Sequence, residues 1–317
     1  MTRLSRRSSA SRPLGFAAAA VLSLALAAPA FAGPGDKAID DVRVLSADDM
    51  QGRAPGTPGS EKARAYILSR FAQIGLSPIG DKFEQPFTYA KRDGSTVQGT
   101  NLVARIKGTQ GGEAMVVSAH YDHLGVREGQ IYNGADDNAS GVAGLLAVAE
   151  AFKAKPPKHD VILAVVDAEE GGLRGAKAFV AAPPVPLASI ALNVNFDMLS
   201  KNAKNELYVS GTAPFPYLKP ILVKVATTAP VTLKLGHDTD ADGKDNNWTN
   251  QSDHYAFADK GVPWVYFGVE DHPEYHKPTD DFATVPQDFF KRSVATVVQA
   301  SLALERELDD VVKAAGR

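Results

Sequence analysis

The stretch Ala114-Met115-Val116-Val117-Ser118-Ala119-His120-Tyr121-Asp122 decides the fold: six small or apolar residues in an unbroken run, then three that carry chemistry. A run without polar alternation is what a strand covered on both faces presents. Residues 161–166 and 190–196 are nearly as continuous in apolar residues, and they too end on polar residues, the acids of 167–170 and Asp197. Between them, residues 142–152 and 176–180 carry helical patterns. Strands alternating with helices predict the α/β class: a three-layer sandwich with a mostly parallel central sheet flanked by helices.

Upstream, residues 51–59 hold too many glycines and prolines to continue a helix or strand. A helix follows, with Ser60 as the expected N-cap, apolar Ala63, Ile67, Leu68 and Phe71 at helical spacing, and Gly75 as its stop. Downstream, 221–226 reads as a helix, 231–235 and 263–269 as strands, and 289–308 as a long closing helix. The Asp/Asn/Gly-rich stretch 236–250 reads as a surface loop.

The first 32 residues read as an export signal. Arg3, Arg6, Arg7 and Arg12 precede an apolar stretch from Leu14 to Ala28, and Ala30-Phe31-Ala32 is a small-residue cleavage site. The stretch falls short of the ~20 residues a span needs, so cleavage is expected rather than a membrane anchor. Arg6-Arg7 leaves a twin-arginine route open. The destination is a periplasm or the medium, with residues 33–317 as a single domain and no inserted second one. The whole chain carries −3; without the leader's four arginines it stands at −7, which argues against a nucleic-acid partner. There is no cysteine, which excludes disulfides, thiol nucleophiles, thiolate-held metals and a lipid anchor on an N-terminal cysteine. Any metal must be held by His, Asp and Glu.

His120-Tyr121-Asp122, the acids of 167–170 and Asp197 all follow strand ends, where ligands sit in open α/β sheets. A buried His beside a carboxylate is often purely structural. In a metal site the same pair means something else: one ring nitrogen ligates, while Asp122 holds the other N–H and sets the tautomer. Asp136 and Asp137 precede a helix, where an acid or Asn can simply cap; they also offer a carboxylate whose two oxygens bridge two cations. Three acids among residues 167–170 repel one another unless solvated or compensated by a cation.

The segments Ser118-Ala119-His120-Tyr121-Asp122, Gly134-Ala135-Asp136-Asp137-Asn138-Ala139-Ser140-Gly141, Glu169-Glu170-Gly171, Asn195-Phe196-Asp197 and Tyr275-His276 resemble, in order and spacing, the zinc metallopeptidase family twenty-eight, which includes bacterial leucyl aminopeptidases. The resemblance spans the mature chain. It implies an α/β fold with a mixed central sheet and two adjacent zinc ions. His120 and Asp197 would bind one, Glu170 and His276 the other, and Asp137 would bridge. Asp137 is preferred to Asp136 because the family's bridging acid lies three residues before the Ser of Ser-Gly. Glu169 would be the general base. Tyr275 matches a position where some members carry a tyrosine that hydrogen-bonds the developing oxyanion; its plain alternative is packing.

Among the other histidines, His159 and His237 read as surface residues, His272 is open, and His123 and His254 fall near the site as entrance or packing residues. Asp238, Asp240 and Asp242, with Gly243, resemble the start of a weak calcium loop, but its twelfth position is Thr249 where a Glu is needed. The resemblance implies peptide substrates and an aminopeptidase. A glutaminyl cyclase-like acyltransferase, a carboxypeptidase and a non-catalytic binding protein share the core. The last usually lacks ligands or the base, and here all five ligands and Glu169 are present.

Overall fold

The structure is a computed structural model, and it describes residues 1–2, 34–91 and 93–316. The export signal therefore falls, but for its first two residues, outside the described residues. Helix α1 (Pro34–Leu45) leads through a tight turn (Asp48–Arg53) to α2 (Pro58–Ile74) and a hairpin of β1 (Glu84–Ala90) and β2 (Thr96–Ile106). Strand β3 (Ala114–His120) is followed by a small ribbon, β4 (Gly125–Arg127) with β5 (Gln130–Tyr132), and then α3 (Gly141–Ala154), β6 (Asp160–Val166), α4 (Arg174–Ala181) and β7 (Ile190–Phe196). The chain continues through β8 (Glu206–Ser210), α5 (Lys219–Ala226), β9 (Thr232–Leu235), α6 (His254–Ala258), β10 (Trp264–Gly268), α7 (Gln287–Arg306) and α8 (Leu308–Ala314).

Eight strands form one sheet in the order β1-β2-β6-β3-β7-β10-β8-β9. Its centre, β6, β3, β7 and β10, is parallel. The hairpin β1-β2 joins antiparallel on β6, and β8 joins antiparallel on β10. This is the expected mixed, mostly parallel sheet. Every residue of β3 and β7 is buried, and the pleat sorts them. Met115, Val117 and Ala119 face a core shared with α1, α2, α3, α5 and α7, whereas Ala114 and Val116 face one shared with α4 and α6. An unbroken apolar run is thus two alternating faces, each with its own helical cover.

The N-cap of α2 is Thr57 rather than Ser60: its hydroxyl accepts the Ser60 N–H at 3.3 Å, and Pro58 takes the first turn, where a missing N–H costs nothing. Ser60 is the residue capped. Gly75 ends α2 with φ 74°, as expected. None of the described helices is long and apolar enough to cross a membrane.

Gly175 opens α4 against the end of β6, and a Cβ there would lie 2.2 Å from the Asp167 oxygen and 2.4 Å from Asn101 Oδ1. Both are fixed: Asn101 donates to the Gly175 oxygen and accepts from the Asp167 N–H. Gly175→Ala is therefore expected to cost about 1–3 kcal/mol despite alanine's better helix propensity, read as a lower urea midpoint.

Candidate active site

The strand ends deliver the site. β3 ends on His120, β7 is followed by Asp197, the turn after β6 carries Glu169 and Glu170, and the loop into α3 carries Asp137. His120 Nε2 lies 3.4 Å from Asp137 Oδ1 and 3.2 Å from Asp197 Oδ1. On the other side of the same carboxylate, His276 Nε2 lies 3.1 Å from Asp137 Oδ2 and 3.4 Å from Glu170 Oε2. The five residues singled out as ligands therefore come together, with Asp137 at the centre and one of its oxygens turned to each group. Tyr275 stacks on His276 with ring centroids 3.9 Å apart and lines the same cleft as Glu169, a space of about 470 Å³.

Each side chain is held from behind. Asp122 meets His120 Nδ1 mainly through its backbone oxygen, at 3.1 Å, with its carboxylate 3.6 Å away. That carboxylate instead accepts the N–H groups of Glu169 and Glu170, at 2.9 and 3.3 Å. It therefore fixes the turn that presents both acids as much as it fixes the imidazole. Behind Asp197 runs a buried chain: Asn193 donates to Ser118, Ser118 to Asn195, Asn195 to Ser252, and Ser252 to Asp197 Oδ2 at 2.7 Å. Such a chain orients the carboxylate and leaves Oδ1 free to face His120.

The Asp137 loop is tied as tightly. Asp280, paired with Lys201 at 2.8 Å, accepts the N–H groups of Asp136 and Asp137. Asn138 accepts from the Gly141 N–H at the start of α3 and donates to the Phe196 oxygen, so loop, helix and β7 move together. Asp136 is turned away from the cleft, towards the Ser200 N–H and His272, which lies 3.0 Å from its Oδ2. Asp167 likewise leaves the cluster: it accepts from Tyr121 and the Thr100 N–H, and burial and then Asp122 push its carboxyl up to about 7.

Electrostatically the cluster calls for positive charge. Burial and then the Glu170 charge push Asp137 up to about 6. Burial likewise raises Glu169 well above the ordinary glutamate range. Burial opposes a charged His276, yet Asp137 and Glu170 raise it to about 10. For Glu170 burial is again the opposing influence, but the imidazoles of His123 and His276 hold its carboxyl far down. Glu170 Oε1 is buried without a hydrogen-bond partner, as expected of an oxygen shaped for a cation. The donors are imidazoles and carboxylates, a set that suits zinc. Among the described residues two groups can share an ion: His120, Asp137 and Asp197, and His123, Asp137 and Glu170.

Two histidine readings are corrected. His159 is 2% exposed, held between Glu305 at 3.2 Å and Asp309 at 2.9 Å, because α7 and α8 close over the start of β6. His237 is 7% exposed and stacks on Trp248 at 3.9 Å. His254 packs between Trp264 and Tyr266, as a core residue. In the loop read for calcium, Asp238 accepts the N–H groups of Gly211 and Ala213, and Asp240 accepts from Asn247; the side chain of Asp242 lies outside the described residues. The sequence reading missed Arg53. It is fully buried and donates to the oxygens of Leu45, Tyr121, Asn133 and Gly134 beneath the site.

The family model of peptidase family M28 matches residues 101–301, which include His120, Asp137, Glu169, Glu170, Asp197, Tyr275 and His276. The chain belongs to this family. In fold it is similar to a zinc aminopeptidase of Bacillus subtilis, with a TM-score of 0.70 and 17% identity over 84% of this chain and 94% of that one. It is equally similar to the glutaminyl cyclase of Porphyromonas gingivalis, with a TM-score of 0.70 and 16% identity over 84% of this chain and 97% of the other. Among curated relatives, the alkaline phosphatase isozyme conversion protein of Escherichia coli is 29% identical over 160 residues, 45% of each chain. A probable zinc metalloprotease of Pyrenophora tritici-repentis is 24% identical over 265 residues, 69% of this chain and 59% of that protein. The chain thus spans about half the length of these curated relatives.

Proposed function

We propose that this M28 family member is an exported, two-zinc exopeptidase that removes N-terminal residues from peptides. The observation that carries the reading is Asp137, whose Oδ1 faces His120 and whose Oδ2 faces His276, each within 3.4 Å. His120 and Asp197 would hold one zinc, Glu170 and His276 the other, and Asp137 both. Bound there, the metal pair would acidify a water and polarise the scissile carbonyl.

The protein's own groups then do the rest. Glu169, on the cleft wall with its backbone pinned by Asp122, takes the water's proton and passes it to the leaving amine. Tyr275, on the same wall, donates to the oxyanion as charge develops. Burial raises the Tyr275 hydroxyl well above its usual range, so it stays a donor throughout. Asp271 adds a carboxylate to the lining, suited to a free peptide ammonium. The apolar leader over residues 1–32 supports export.

The test is an assay of residues 33–317 against aminoacyl-nitroanilides, N-blocked peptides and a Gln-initiated peptide, with chelator and with added zinc. Chelator-sensitive cleavage confined to free N-termini is expected. Cyclisation of the Gln peptide without hydrolysis would move the reading to an acyltransferase, and cleavage only from the carboxyl end would make it a carboxypeptidase.

A further inference from the structure

His123, the third residue beyond His120, is fully buried, and neither of its ring nitrogens has a hydrogen-bond partner. Its Nδ1 lies 2.8 Å from Glu170 Oε1 and 3.7 Å from Asp137 Oδ2. The two atoms of the first pair are in close contact, yet both are among the buried polar atoms without a hydrogen-bond partner. His123, Asp137 and Glu170 each present a ligand atom close enough to share one ion, as a metal site requires. Around a tetrahedral zinc, nitrogen and oxygen ligands stand roughly 3.3 Å apart. The four contacts on this side, 2.8 and 3.7 Å from His123 and 3.1 and 3.4 Å from His276, bracket that spacing.

We propose that His123 is a sixth protein ligand, its Nδ1 joining Asp137, Glu170 and His276 on the second metal. This rests on the metallopeptidase reading above. A purely structural His123 would leave both ring nitrogens and Glu170 Oε1 buried without a hydrogen bond, an arrangement buried polar atoms rarely keep. Ligation satisfies two of these three atoms at once. The end of β3 and the turn after it then supply a histidine to each side of Asp137: His120 through Nε2 to Oδ1, His123 through Nδ1 to Oδ2. The result is an unequal pair. The second ion has four protein donors and the first has three, so the open position for water and substrate lies on the His120 side, and graded chelation empties that side first.

Two measurements test this. In the first, wild-type protein carrying 15N-histidine is loaded with 113Cd, and cadmium–nitrogen couplings are read by NMR. Couplings to His120, His123 and His276 are expected, with His123 coupled through Nδ1; couplings to His120 and His276 alone overturn the proposal. If the protein holds a single ion coupled to both His123 and His276, the two-metal reading fails while ligation by His123 stands. A single ion with no coupling to His123 sinks both.

In the second, His123→Ala and His123→Asn are titrated with Co2+ and followed by visible absorption, with circular dichroism to confirm folding. Both variants are expected to bind the second ion roughly 100-fold more weakly, with an altered spectrum, while the first ion binds as in wild type. The asparagine variant keeps an N–H donor near the Nδ1 position. If it restores wild-type affinity where alanine does not, His123 acts as a hydrogen-bond donor to Glu170 and the proposal is wrong.

Discussion

Glu169→Gln is expected to lower kcat on an aminoacyl-nitroanilide by about 10²–10⁴-fold, the usual contribution of a positioned general base, while leaving metal content unchanged. The amide keeps the size and the backbone anchor to Asp122, and it lacks only the proton-accepting oxygen pair. The same substitution has a second, opposite effect on the metal-free protein. Burial raises the Glu169 carboxyl well above its ordinary 4.5, so the fold prefers it protonated while the unfolded chain ionises it. A carboxyl shifted upward in this way withdraws stability as pH rises from the unfolded value towards the folded one. Metal-free wild type should therefore weaken across that window more steeply than Glu169→Gln, a difference that urea midpoints at pH 4 and pH 7 will show. Asp137 and Asp253, raised by burial to about 6 and about 8, remain in both proteins and weaken each as pH rises, so the comparison reads the difference between the two slopes. Unchanged turnover in the variant would remove Glu169 from the base role; equal pH slopes would mean its burial is relieved by something other than protonation.

The central strands are legible because burial on both faces leaves them almost wholly apolar: residues 190–196, broken only by Asn193 and Asn195, are bounded in the sequence where β7 is bounded in the structure. The edge is not. In β1 exposed and half-buried residues alternate, so the hairpin it forms with β2 lacks the apolar signature of the centre. Chemistry at the strand ends is legible for a geometric reason, since β3, β6 and β7 run parallel and their carboxyl ends must share one edge of the sheet. What escapes is any role set by a returning loop. Asp136 and Asp137 are adjacent in sequence and alike in type; only Asp280, more than a hundred residues on and accepting both of their N–H groups, shows how one faces the cleft and the other His272. His159 reads as a surface residue because nothing in its neighbourhood announces that Glu305 and Asp309 come to cover it.

Arg53 carries the largest stability effect to be expected outside the hydrophobic core. Its guanidinium reaches four backbone oxygens, of Leu45 and Asn133 at 2.6 Å, Tyr121 at 2.7 Å and Gly134 at 2.9 Å. These join the end of α1, the turn after β3 and the entrance to the Asp137 loop. Burial lowers the Arg53 pKa to about 10, and the charges of Asp137, Asp280, Asp122 and Glu170 work against that shift, so the cation beneath the acids stays charged at neutral pH. Removing it strands four buried acceptors, and the loss of a buried charged partner typically costs about 3–5 kcal/mol, a large part of a domain's 5–15 kcal/mol. The backbone separates this loss from strain. Arg53 has a φ of 53°, a left-handed conformation that costs a side-chain-bearing residue about 1–2 kcal/mol and glycine little. Arg53→Ala and Arg53→Gly should thus both unfold at much lower urea than wild type, with the glycine variant the more stable of the two. Because Asn133 and Gly134 lead directly into the metal-binding loop, both should also lose metal more readily than their folded fraction accounts for. Midpoints within about 0.5 kcal/mol of wild type would show that water can replace the guanidinium.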